Sequence, residues 1–149
     1  LIAIAADEIV MSRHAVPGPV DPQLEQGPAA SLLRIIEQKP IAEIDDKTLI
    51  MADVGRKAIA QVKACVRQLL DRQLSADQAE AVADKLSSGT WTHDYPISPT
   101  EAQQLGIKVN ADMPDAVMEL LALYPQPVRA QTGGVEYLPR PRQSFPHSA

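Results

Sequence analysis

The chain has 149 residues, 45% of them hydrophobic, with 14 Lys+Arg against 19 Asp+Glu and a formal net charge of -5. Length and apolar share suit one domain with a sizeable core and exclude a wholly disordered chain. The acidic balance, with only 3% aromatic residues, excludes a body-wide nucleic-acid surface, which needs Lys and Arg over the phosphates.

Residues 1–6 (Leu-Ile-Ala-Ile-Ala-Ala) begin without Met and are apolar throughout. The run is too short to span a membrane and lacks the basic leader and cleavage site of a signal peptide. It reads as the rest of a buried helix whose start lies upstream. The expectation is therefore the C-terminal part of a longer protein, with any targeting segment out of view. Residues 8–11 read as a short buried strand. His14-Ala15-Val16-Pro17-Gly18-Pro19-Val20-Asp21-Pro22 holds three prolines and a glycine, which exclude a helix or a central strand. An extended, rigid segment is expected, with backbone groups left over from regular pairing.

Residues 29–39 read as a short helix stopped by Pro40, and residues 48–72 as the longest helix. In the long helix Met51, Val54, Ala58, Val62, Cys65 or Val66, and Leu69 recur at steps of three and four, predicting one buried stripe. Cys65 stands alone, so it forms no intrachain disulfide and no cysteine zinc site; burial as a small hydrophobe is expected. Ser75 and Gln78 form a capping-box pattern for a helix burying Ala79, Val82, Ala83 and Leu86 and ending at Gly89. Ser98-Pro99-Thr100-Glu101 is a second box, opening a short helix closed by Gly106. Residues 107–109 read as a strand. Pro114 opens a last helix with Val117, Leu120, Leu121 and Tyr124 on one face. Residues 1–125 are expected to form the folded body. Residues 126–149, where Arg129, Arg140 and Arg142 stand against Glu136 among prolines, are expected to be a flexible tail.

No phosphate loop, dinucleotide fingerprint or H-E-x-x-H motif is present, so neither a cofactor nor a metal is expected. A nucleophilic serine needs a tight turn of small residues. None of Ser12, Ser31, Ser75, Ser87, Ser88, Ser98, Ser144 and Ser148 has that setting. General bases are limited to His14, His93 and His147, the last in the tail. His93 and Asp94 are neighbours, and neighbours on an extended segment point to opposite sides. His14 either serves as a base or buttresses the Pro-rich turn; Asp94 either orients a base or bonds loop amides.

Residues 1–11, the run His14 to Gln23, Lys39-Pro40-Ile41-Ala42-Glu43-Ile44-Asp45-Asp46 and residues 91–97 together resemble the serine dehydrogenase proteinase family. This family is related to Clp-type proteases and signal peptide peptidase A in the ClpP/crotonase superfamily. The resemblance implies the C-terminal part of an α/β, ClpP/crotonase-like fold, helix-rich with a few short strands. It implies a prokaryotic serine peptidase acting on a peptide or protein, with the nucleophile in a Met-Ser-Gly-Gly-Thr stretch just before Leu1. A homo-oligomer and an N-terminal membrane anchor are implied too, with the side of the membrane left open. Residues 94–102 are similar to the Clp stretch whose Asp completes the triad, and Asp94 falls on that Asp. The Clp histidine slot falls near Val20 or Asp21, neither a base of the right kind. His14 and His93 remain as candidates, with Lys39 the nearest lysine for a Ser-Lys alternative. Proteases of this superfamily hold peptides by strand addition, which implies a substrate-binding edge at Val16, Gly18, Pro19 and Val20. From a different class comes the alternative of a non-catalytic oligomerisation and assembly module of the same fold.

Overall fold

The computed structural model describes residues 1–25 and 27–124. The tail expected at 126–149, with His147, lies outside the described residues. The chain divides into two compact units, Leu1–Met113 and Pro114–Ala149.

The first unit is helix-rich, with four two-residue strands. Strands β1 (Ile9–Val10) and β4 (Val109–Asn110) pair in parallel, Ile9 opposite Val109 and Val10 opposite Asn110. Strands β2 (Gln23–Leu24) and β3 (Gly27–Pro28) form a small antiparallel hairpin that the residue pattern did not announce. Helices α1 (Ala29–Gln38) and α2 (Asp46–Leu70) pack on each other, and α2 packs on α3 (Ala76–Ser87). The short α4 (Pro99–Gln104) then leads into β4. No helix among the described residues is long and apolar enough to cross a membrane.

Local chemistry sets these boundaries. Asp45 caps α2 by accepting from the Thr48 N–H, while Ser75–Gln78 and Ser98–Glu101 both form complete capping boxes. Helix α3 buries Ala79, Val82, Ala83 and Leu86, as the pattern predicted. These side chains join Val66, Leu70, Ile97, Ala102 and Ile107 in the core.

Several expectations need correction. The buried strand expected at residues 8–11 is only Ile9–Val10, with Ile9 half-buried and Val10 exposed. Residues 1–6 are not a buried helix: one 3-10 turn, Ala3–Ala5, buries Ile4 alone, and Ile2 is 92% exposed. The buried line of α2 runs through Ala52, Gly55, Val66 and Leu70, and Val54 is exposed. Size matters on that face: a Cβ on Gly55 would lie 3.3 Å from the Ala29 side chain, tighter than an ordinary contact, so α1 would have to give way slightly. Cys65 is exposed, one residue from buried Val66 and therefore about 100° around the helix. The strand read at 107–109 shifts to Val109–Asn110, leaving Ile107 as a buried core residue ahead of it.

In the second unit the described part is α5 (Asp115–Ala122), which buries no residue. Val117, Leu120, Leu121 and Tyr124, set on one face by their spacing, are all exposed.

Candidate active site

The Pro-rich segment comes to rest on the ends of two helices. The last carbonyls of a helix and its first amides lack partners inside the helix. Here the Val20 N–H donates to Leu86 C=O in the last turn of α3 at 3.0 Å, and Pro22 C=O accepts from the N–H of Ala29, the first residue of α1, at 3.0 Å. Asp21 is therefore gripped on both sides. Its side chain is 3% exposed.

Facing it is the turn after α3. Tyr95 N–H donates to Thr92 C=O at 3.0 Å and closes the turn, and Ile97 N–H donates to Pro17 C=O at 2.9 Å, tying the turn to the segment. Gly18 lies under the turn: a Cβ there would stand 3.2 Å from the His93 carbonyl oxygen. The Trp91 and Tyr95 rings stack at 5.1 Å and 8°, and the Lys85 ammonium sits 5.1 Å from the Trp91 ring centre. The Tyr95 hydroxyl donates to Glu101 Oε1 at 2.7 Å. Backbone and side-chain bonds from Ser98, with the Tyr95 bond, hold the Glu101 carboxyl below its usual range, and the same bond to Glu101 raises the Tyr95 hydroxyl.

These contacts place His93 Nδ1 at 2.9 Å from Asp21 Oδ1. Asp21 Oδ2 accepts from the Gln23 side-chain amide. A carboxylate only accepts, so facing one the neutral imidazole donates from Nδ1, and Nε2 is then its acceptor nitrogen. That nitrogen bonds to nothing among the described residues, and the His93 side chain is 63% exposed. One buried acid thus fixes one open base.

The other candidates stand apart from this pair. Asp94 is exposed and bonds no imidazole among the described residues; the carboxylate on His93 is Asp21, 72 positions away in the chain. His14 is exposed in the turn at residues 12–15, its N–H donating to Ser12 Oγ at 3.4 Å. Lys39 is exposed just after α1. Ser75 and Ser98 are engaged in caps, while Ser87 and Ser88 donate back to helix carbonyls. Among the described residues no serine hydroxyl bonds a histidine ring, and no three His, Cys, Asp or Glu side chains gather to hold a metal. Of the expected substrate edge, Val16 and Gly18 are exposed, Val20 is half-buried and Pro19 is buried. The backbone of this segment is less free than its prolines implied, since Pro17 C=O and Val20 N–H are both taken. Beside it lies an apolar cavity of about 340 Å³, lined in part by Ile9, Met11, Val16, Gly18, Val20 and Leu86.

Asp21 is the residue that sequence reasoning passed over. The signal was there: the Clp histidine slot fell on Val20 or Asp21, and an acid in a base's slot invites a base in the acid's slot.

The family model for ClpP-like SDH-type serine proteinases matches residues 1–148. The chain belongs to this family. The match takes in nearly all of the stretch set apart as a tail. Two relatives from Methanocaldococcus jannaschii, the uncharacterized proteins MJ0137 and MJ1495, are each 49% identical over 141 residues, or 95% of this chain. The aligned part is 49% of the first and 48% of the second, so the chain spans about half the length of the curated relatives it matches. No solved structure matches it.

Proposed function

We propose that the chain carries the base and the orienting acid of a serine peptidase, His93 and Asp21, and that the serine comes from the part of the protein that precedes these residues in the family. The supporting observation is the 2.9 Å contact between His93 Nδ1 and buried Asp21, with Nε2 left open. In peptide hydrolysis Nε2 takes the serine proton as Oγ attacks the carbonyl carbon. It then gives that proton to the leaving amine, and water releases the acyl group by the same route. Asp21 keeps the ring in the required tautomer throughout. Relative to the Clp pattern, base and acid exchange places: the acid sits at the histidine slot and the base beside the aspartate slot. Val16, Gly18 and Val20 border the apolar cavity, and with Pro19 they are assigned to the peptide. A ClpP/crotonase-like fold, a homo-oligomer and a membrane anchor outside this chain complete the reading; they rest on the family resemblance.

The test uses a protein in which this chain is joined to the serine-bearing part. His93→Ala should abolish peptide turnover with folding intact; retained turnover would overturn the assignment. The chain alone should leave a fluorophosphonate probe unreacted, and labelling above background would place a nucleophile within it. One observation favours the assembly reading: Ile35, Ile41, Ile50 and Val54 expose apolar surface along α1, α2 and the link between them. On that reading His93→Ala would change neither assembly size nor any activity.

A further inference from the structure

We propose that Tyr95 and Glu101 are positioning residues for His93, forming a clamp that couples the start of α4 to the tautomer of the imidazole. The proposal rests on the reading of His93 as a base. In a capping box the N3 glutamate needs only one carboxylate oxygen for the cap. Glu101 uses Oε2 in this way, accepting from the Ser98 N–H at 3.0 Å and the Ser98 hydroxyl at 3.1 Å. Oε1 is spare. It accepts from the Tyr95 hydroxyl at 2.7 Å. One carboxylate therefore ties the helix start to a ring two residues from His93.

The ring passes that constraint on. Tyr95 closes the turn holding His93 through its N–H and stacks on Trp91, so the turn is bracketed by two parallel rings. Gly18 bounds it on the side of the His93 carbonyl. Within that bracket His93 has one carboxylate to meet, Asp21, and the hydrogen bond between them depends on where the turn stands. An unconstrained neutral imidazole favours the proton on Nε2; a carboxylate held against Nδ1 reverses that preference. The tautomer ratio of His93 thus reads out the clamp, whereas helix stability reads out only the cap.

Nitrogen-15 shifts of the labelled His93 ring in the 149-residue chain measure this ratio. Tyr95→Phe removes only the hydroxyl and keeps the stack, the turn and both bonds of the cap. It should leave the melting transition of the chain nearly unmoved while shifting the ratio several-fold toward the Nε2–H form. Glu101→Gln keeps a capping side chain but has one acceptor oxygen for two sets of donors, and should shift the ratio in the same direction. Asp21→Asn should abolish the Nδ1–H preference and sets the scale. An unchanged ratio in both Tyr95→Phe and Glu101→Gln, beside a lost one in Asp21→Asn, would overturn the proposal and leave Glu101 a helix cap. Failure of the peptidase reading is a separate result: turnover surviving His93→Ala, whatever the tautomer shows.

Discussion

The Pro-rich segment and the turn after α3 each supply one member of the His93–Asp21 pair, and they are held in place by different means. Around Asp21 the chain has little freedom to lose. Pro17, Pro19 and Pro22 fix their own φ angles, and two helix ends take the Val20 N–H and the Pro22 C=O. Around His93 two backbone bonds close and tether the turn, and side chains add the rest of the order: a ring stack, a tyrosine hydroxyl and a helix cap. A segment held by its backbone tolerates most side-chain changes. A turn held in part by side chains can be loosened one group at a time. The acid is thus the fixed reference, and the base is the member that substitutions or solution conditions can move.

The largest break comes from beneath both. Leu70 is fully buried in the core that also contains Ile97 from the turn and touches Val20 from the segment. Leu70→Ala should cost about 2–5 kcal/mol, and a drop in the denaturation midpoint would show it. Next is Gly18→Val, whose branched side chain must push against the His93 carbonyl. A cost of about 1–3 kcal/mol is expected, with loss of the His93 Nδ1–H preference, because backbone and not a flexible side chain has to move. Ser98→Ala should cost about 1 kcal/mol by uncapping α4. Thermal melts beside Ser31→Ala, a change on the exposed surface of α1, provide the comparison.

The smallest effect is one of pH, and it acts on the turn. The Glu101 carboxyl sits below its ordinary value of 4.5 in the folded chain. Its contribution is therefore present above that value and lost as pH falls through the lower folded value, where the carboxylate takes up a proton and gives up its acceptor role. The stability difference between the chain and its Glu101→Gln variant should narrow as pH drops below 4.5. A difference constant through that range would contradict the clamp chemistry.

Features set by neighbouring residues were legible in the sequence. Both capping boxes and four of the five buried positions of α3 follow from spacing alone; the fifth is Ser87, whose hydroxyl bonds Ala83 C=O. On α2 Val62, Val66 and Leu69 reach the core as their spacing predicts, but Gly55 lies against α1 through its smallness, which hydrophobic periodicity does not weigh. Helix α5 carries the same apolar spacing as α3 and buries nothing, so periodicity marks a face without saying what covers it. For the site, His93 was one of two candidate bases, with His14, named for the chemistry of the imidazole. Its partner was not found, since the likeness to the Clp stretch pointed to Asp94 while the fold brings up Asp21 from another segment. The chance to see it lay in the histidine slot falling near Val20 or Asp21.

The central claim is that Asp21, and not its namesake beside the histidine, orients the base. The direct measurement is kcat on a peptide substrate for Asp21→Asn and Asp94→Asn, each in the protein that includes the serine-bearing part. Loss of the orienting acid of a triad slows turnover by roughly 10⁴. That loss is predicted for Asp21→Asn, with Asp94→Asn near wild type. Slow turnover in Asp94→Asn beside near-normal turnover in a folded Asp21→Asn would contradict the account.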